Sequence, residues 1–318
     1  MPVVLDFQTL VYAIVPVFLL VAVGTGARGL GFLPQAAEQG LTKLLIYALY
    51  PSFILTNILG NEALNDLGTL WMAPVLGFAS IAGGMALGWA VGRFFGLEPL
   101  ARRTFGFCVG IFNYGYMAIP VTKAVFPGEG TLGLLLVFNV GVDIAIWTVG
   151  VLLLTGGWQR DSLKRLLNGP LIAMILGLSL NAAGLGTSLP SWLMETLLAL
   201  GGCAIPFGII LIGAAFFDEA RTANWLTSFK VPALGIVTKL GLIPALMLLT
   251  AWALPIPQGL RNVLLIQAAM PCGIFPIVLT RHFGGDGALA TKVVVVTTVI
   301  GLVSIPLWLK AGYAWVGP

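Results

Sequence analysis

Ile111–Pro120 (IFNYGYMAIP) and Gln267–Pro276 (QAAMPCGIFP) are the two stretches that decide the fold of this chain. Proline removes a backbone hydrogen-bond donor and clashes with the preceding helical turn, and glycine lowers helix preference, so a helix should break in each stretch. Both stretches lie inside long apolar segments. Because non-helical backbone at membrane depth must be buried in protein or line a wet cavity, the two breaks predict one central site.

The composition around these stretches is that of an integral membrane protein. Of the 318 residues, 58% are apolar and only 9% are charged, whereas about a quarter of an ordinary soluble domain is charged. The basic residues are scattered between apolar runs and form no patch for nucleic acid. The composition therefore excludes soluble enzymes, nucleic-acid binders and disordered tails.

The apolar runs predict an all-α fold with ten transmembrane helices. About 20 apolar residues are needed to cross the hydrocarbon layer as a helix. The predicted spans are residues 7–27, 38–59, 71–92, 103–125, 131–154, 166–184, 190–216, 231–252, 259–280 and 289–311. The two decisive stretches fall in spans 4 and 9.

A weak internal repeat divides the chain into two halves. Four ordered pairs of prolines are 154 to 158 residues apart: Pro16 with Pro170, Pro51 with Pro206, Pro74 with Pro232, and Pro120 with Pro276. Five spans per repeat force the second half to enter the membrane from the opposite face, as in many secondary transporters. We therefore predict a first five-helix repeat at 1–155, a short cytoplasmic linker at 156–165 and a second, inverted repeat at 166–318.

Basic residues predict the orientation of the chain in the membrane, because cytoplasmic loops carry an excess of Lys and Arg. Of the 16 basic residues, 12 lie in or beside the loops that follow the odd-numbered spans: Arg28, Lys43, Arg93, Arg102, Arg103, Arg160, Lys164, Arg165, Arg221, Lys230, Arg281 and Lys292. We therefore expect a multi-pass protein of the cytoplasmic membrane with both termini outside.

The chemistry of the two breaks favours an anion. Half-helices that begin after each break point their positive N-terminal ends at the central site. The alternative is that the prolines only kink packed helices. The polar Asn113 and Gln267 beside the breaks favour a site, since a kink needs neither amide.

These residues resemble the auxin efflux carrier family, which includes plant auxin carriers and bacterial malate or malonate permeases. The resemblance rests on the Asn-x-Gly-x-Met-x-Ile-Pro pattern of Asn113–Pro120, the Ala-Met-Pro run ending at Pro271, and Pro51 and Pro206 in spans 2 and 7. It covers nearly the whole chain. Plant members have a long cytosolic loop between the halves, so the short segment at 156–165 is more similar to prokaryotic members.

The resemblance implies a scaffold domain and a transport domain, crossing of spans 4 and 9 at their prolines, and elevator-type movement of small carboxylates. The expected partners are a small organic anion and membrane lipid, with no cofactor, metal or nucleic acid. The predicted substrate-binding residues are Asn113, Tyr114, Gly115, Pro120, Gln267, Pro271 and Pro276.

Three other functions compete with this interpretation. An intramembrane enzyme is disfavoured because the chain has one histidine, His282, and a single mid-span acid. An anion channel also contains broken helices, but two inverted halves build a site within one chain. A sodium-coupled bile-acid-type carrier has a related arrangement of crossed helices, and loss of transport without sodium would favour it.

Two charges near the centres of predicted spans need a physical reason. Asp143 lies in span 5 and Lys239 in span 8, where a single charge costs about 2.5 to 3.5 kcal/mol even on a lenient scale. They either form a mutual ion pair, or Asp143 takes up a proton in the cycle, or Lys239 supplies a counter-charge to the substrate. We favour a functional role in coupling or counter-charge for at least one.

Gly84, Gly88 and Gly92 form a GxxxGxxxG run on span 3. Such a run mediates either a homodimer contact or close packing within one chain. We favour internal packing.

Overall fold

The computed structural model describes residues 7–127, 130–157, 167–186, 188–222 and 229–317. This part of the chain is all-helical, which confirms the all-α part of the predicted fold class. We number its main helices in chain order: α1 Phe7–Gly29, α2 Gln35–Ile58, α3 Leu67–Phe94, α4 Pro99–Gly110, α5 Ala118–Val125, α6 Thr131–Thr155, α7 Gly169–Ala182, α8 Ser191–Thr222, α9 Lys230–Ala253, α10 Gln258–Ala269, α11 Phe275–His282 and α12 Gly287–Val316.

Six of these helices are long and apolar enough to cross a membrane, namely α2, α3, α6, α8, α9 and α12. The apolar part of α1, Ile14–Gly29, and α7 are shorter. Predicted spans 4 and 9 each coincide with a pair of short helices, α4 with α5 and α10 with α11. The structure thus agrees with an integral membrane protein, and the count of ten spans stays a prediction. Most of the predicted linker, from residue 158 to 165, lies outside the described residues.

Side-chain caps set where several of these helices begin. Asp66 accepts hydrogen bonds from the N–H groups of Gly68 and Thr69 at the start of α3. Asn168 caps α7 and Asp286 caps α12 in the same manner. These side chains satisfy N–H groups that have no partner within the helix, so each apolar run starts at a polar residue.

The helices pack as two bundles. One bundle contains α1, α2, α7 and α8, and the other contains α3, α4, α6 and α9 to α12. The short helix α5 contacts α1 of the first bundle as well as α6 and α10 of the second. The first break in the helices therefore lies at the boundary between the bundles.

Glycines allow the helices of the second bundle to approach closely. A Cβ atom added to Gly84 would lie 3.1 Å from the Cα atom of Gly110, and one added to Gly88 would lie 2.3 Å from a methyl carbon of Val109. The glycine run of α3 thus packs against α4. This confirms the expectation of internal packing for the run.

Gly141→Ala is expected to destabilise the second bundle strongly. A Cβ atom at Gly141 would lie 1.7 Å from the carbonyl oxygen of Pro74. This oxygen belongs to the backbone of α3, so it cannot move away as the end of a flexible side chain can. Overpacking of this kind costs about 1 to 3 kcal/mol or more, so the melting temperature in detergent should fall. The control is Gly83→Ala on α3, where nothing lies within 4 Å of the added atom. Equal melting temperatures for the two variants would contradict this packing.

Candidate functional site

Both predicted helix breaks are present. Helix α4 ends at Gly110 and α5 begins at Ala118, while α10 ends at Ala269 and α11 begins at Phe275. Pro120 and Pro276 fall in the first turns of α5 and α11, where a missing N–H removes no intrahelical hydrogen bond. The two prolines therefore start half-helices after each break.

The two breaks cross as a short antiparallel pair. The N–H of Asn113 donates to the carbonyl oxygen of Pro271 at 2.8 Å, and the N–H of Gly273 donates to that of Ile111 at 3.0 Å. Phe112 and Cys272 form the bridge between these two bonds. The crossing pairs backbone groups that would otherwise be unsatisfied deep in the protein. The ring of Pro271 also faces Gly301 of α12, because a Cβ atom at Gly301 would lie 3.3 Å from its Cγ.

Asn113 presents an amide donor at the crossing. Its Oδ1 accepts a hydrogen bond from the N–H of Met117 at 3.2 Å, which orients the amide. Since an N–H group can bond only to the amide oxygen, the other end of the side chain is the Nδ2 donor. Within the described ranges Nδ2 makes no hydrogen bond, and the residue is 7% exposed. Asn113 can therefore donate to a bound acceptor.

Further donors border the same turn. Over the described part of the chain, the N–H groups of Gly115 and Tyr116 donate to no protein acceptor. The hydroxyl of Tyr50 on α2 faces Gly115, because a Cβ atom at Gly115 would lie 3.4 Å from it. One amide, two backbone N–H groups and one hydroxyl suit the oxygens of a carboxylate.

Aromatic rings form the side of the site that faces the first bundle. The rings of Tyr50 and Tyr116 are 6.4 Å apart. Tyr116 also lies against Gly208 of α8, where a Cβ atom would come within 2.1 Å of the ring. Sequence reasoning missed Tyr50, Tyr116 and Gly208. Only the position of Tyr50 directly before Pro51 offered a signal.

Gln267 acts on the site through Tyr114. Its Nε2 donates to Oδ1 of Asn139 at 3.0 Å and to the carbonyl oxygen of Tyr114 at 3.4 Å. Asn139 in turn donates to the same carbonyl at 3.0 Å. Because the amide nitrogen of Gln267 is used within the protein, we interpret Gln267 and Asn139 as positioning residues. Sequence reasoning also missed Asn139, because it is a single amide within an apolar run.

The two mid-span charges have different partners. The hydroxyl of Tyr114 donates to Oδ1 of Asp143 at 2.8 Å. Nζ of Lys239 lies 4.8 Å from the centre of the Phe112 ring and makes no hydrogen bond with any described residue. The salt bridges of the described residues do not include one between Asp143 and Lys239. The hypothesis of a mutual ion pair is therefore wrong, because each group faces a different side chain of the first break.

An open cavity of about 800 Å³ lies beside the C-terminal end of α2, the loop after it and helix α5. Its polar lining includes Asn57, Asn61 and Lys123. The predicted site residues do not line it, although Lys123 lies only three positions after Pro120. The cavity ends beside the half-helix that follows the first break.

Comparisons with known proteins identify membrane transporters. The family described as membrane transport protein matches this chain twice, over residues 9–162 and 158–309. An uncharacterized transporter of Methanothermobacter thermautotrophicus is 28% identical over 93% of this chain and 96% of its own length. An uncharacterized transporter of Methanocaldococcus jannaschii is 24% identical over 92% of this chain and 95% of its own length.

Proposed function

We propose, since the chain belongs to the membrane transport protein family of auxin efflux carriers, that it is a secondary transporter for a small organic anion, a carboxylate. The observation that carries this proposal is the free Nδ2 donor of Asn113 beside the N–H groups of Gly115 and Tyr116. A carboxylate accepts such hydrogen bonds and is further favoured by the positive end of α5. The Tyr50 hydroxyl supplies a fourth donor.

We propose that the chain forms two inverted five-helix halves, residues 1–155 and 166–318, joined by a cytoplasmic linker at 156–165. The two successive family matches support the division, since each covers about one half. The positions of the two split helices, one in each half, support it as well. Inverted halves bring equivalent breaks together near the midplane of the membrane.

The transport step in this proposal is an elevator-type movement of one bundle past the other. The bundle of α1, α2, α7 and α8 is the scaffold, and the bundle that carries both breaks is the moving part. The proposed site borders the contact between Tyr116, in the first break, and Gly208 of the scaffold, and this contact supports the proposal. Glycine at this position lets the Tyr116 ring pack directly against α8, so the contact between the two bundles depends on a residue without a side chain.

A thermal-shift screen of the purified protein with mono- and dicarboxylates tests the proposed substrate class. A ligand present at 100 times its dissociation constant stabilises the folded state by about 2.7 kcal/mol, so a substrate should raise the melting temperature measurably. Positively charged amines of the same size serve as controls. Counterflow in proteoliposomes then separates a carrier from a pore, since only a carrier exchanges labelled for unlabelled substrate at a saturable rate. Absence of both stabilisation and counterflow for all carboxylates would refute the proposal.

Thiol labelling tests the proposed orientation in the cytoplasmic membrane, with both termini outside. Cys203 is exposed, whereas Cys108 and Cys272 are buried, so Cys203→Ser gives a background of low reactivity. In that background, Asn65→Cys should react with an impermeant reagent applied to intact cells, and Glu98→Cys should react only after lysis. Both positions are exposed in the structure, which makes them matched probes. The reverse pattern would invert the topology.

A further inference from the structure

Lys239 is a buried cation directly behind the crossing of the two breaks. Its side chain is fully buried, and its ammonium makes no hydrogen bond in the part of the chain described by the structure. The ammonium lies over the ring of Phe112, 4.8 Å from the centre of the ring. Phe112 and Cys272 are the two residues of the bridge. A charge in this position needs a reason, because burial of an ammonium is costly.

Lys239 and Asn113 lie on opposite faces of the crossing. Opposed residues of an antiparallel pair share a face, so the side chains of Phe112 and Cys272 point the same way. Asn113 is next to Phe112 along the extended segment and therefore points to the other face. Lys239 thus does not occupy the position of a direct ligand beside Asn113. The charge of Lys239 acts on the proposed site from the opposite face of the crossing.

The crossing is also where two negative helix ends meet. Helix α4 ends at Gly110 and helix α10 at Ala269, each just before its bridge residue. A helix C-terminus carries roughly half a negative elementary charge, so the two ends together amount to about one. The single ammonium of Lys239 offsets this charge. The positive N-terminal ends of α5 and α11 then remain available to an anion.

We infer that Lys239 is the built-in cation of the crossing, which makes the site attractive to an anion without a bound sodium ion. This inference rests on the proposed carboxylate site, and it adds that this site requires no sodium ion. Without the ammonium, the two negative helix ends would face the bound carboxylate across the crossing and repel this carboxylate. With the ammonium present, substrate binding is independent of sodium.

Carboxylate affinity of the purified protein tests this inference, measured with the carboxylate that gives the largest thermal shift. The wild type should bind equally in sodium and in choline buffer, within about twofold. Lys239→Met, which has a side chain of similar length, should weaken binding by about tenfold or more, because it removes the charge that offsets the two negative helix ends. Lys239→Arg should bind within a few-fold of the wild type. Lys310→Met, an exposed lysine of α12, serves as the control and should bind normally.

The Met variant is expected to fold, since replacing a buried charge by an apolar side chain of similar volume is often neutral or stabilising. Unchanged affinity in Lys239→Met, alongside weakened binding in Asn113→Ala, would overturn the inference and leave the proposed function intact. Sodium dependence of the wild type would overturn it too, and this measurement needs no variant. Failure of the wild type to bind any carboxylate would instead remove the proposed function itself.

Discussion

Asn113→Asp is expected to abolish carboxylate binding at neutral pH, with a loss of more than a hundredfold in affinity. The substituted carboxylate still accepts the N–H of Met117, so the turn before α5 keeps its hydrogen bond. It replaces the free Nδ2 donor by a negative oxygen, and two like charges 4 Å apart repel by about 4 kcal/mol at an effective dielectric constant of 20. Isothermal titration or the thermal-shift assay measures the loss.

Milder variants separate the roles of the two amides. Asn113→Ala removes one donor to a charged acceptor, which costs about 1.5 to 3 kcal/mol or roughly ten- to hundredfold in affinity. Gln267→Ala should weaken binding less than Asn113→Asp, because Gln267 acts through the carbonyl of Tyr114. Asn65→Asp in the exposed loop before α3 is the matched control. Wild-type affinity in both Asn113 variants would exclude the crossing as the carboxylate site.

Asp143→Asn is expected to eliminate accumulation of substrate driven by a pH gradient. Asp143 is half-buried, and its one hydrogen-bond donor among the described residues is the hydroxyl of Tyr114. The salt bridges of the described residues include none to Asp143. A carboxylate without a salt bridge can take up a proton during the transport cycle, whereas the amide of the variant cannot.

Proteoliposomes with an imposed pH gradient measure this effect. The amide of the Asn variant can still accept from the Tyr114 hydroxyl, so we expect folded protein that exchanges labelled substrate at an undiminished rate. Its uptake should stop at equilibrium, whereas the wild type accumulates substrate. Asp66→Asn, at the exposed cap of α3, should accumulate normally. Accumulation by Asp143→Asn equal to that of the wild type would rule out Asp143 as the coupling group.

Much of the site was predictable because its main signals are local. Proline and glycine affect the helix in which they lie, so Ile111–Pro120 and Gln267–Pro276 indicated both breaks without knowledge of the fold. The glycine run of α3 likewise indicated close packing. The sequence did not separate an amide with a free N–H donor from an amide that bonds within the protein, because Asn113 and Gln267 have the same chemistry and differ only in their neighbours.

By itself, the sequence determined that the chain is all-helical, suited to a membrane, and broken within Ile111–Pro120 and within Gln267–Pro276. These properties depend on composition, on backbone stiffness and on spacing along one segment. Only the tertiary structure decided that Tyr50 faces Gly115, that Tyr114 pairs with Asp143, and that Lys239 lies over Phe112. Such contacts join residues up to about 130 positions apart, and their distances depend on how separate helices pack, which no local pattern encodes.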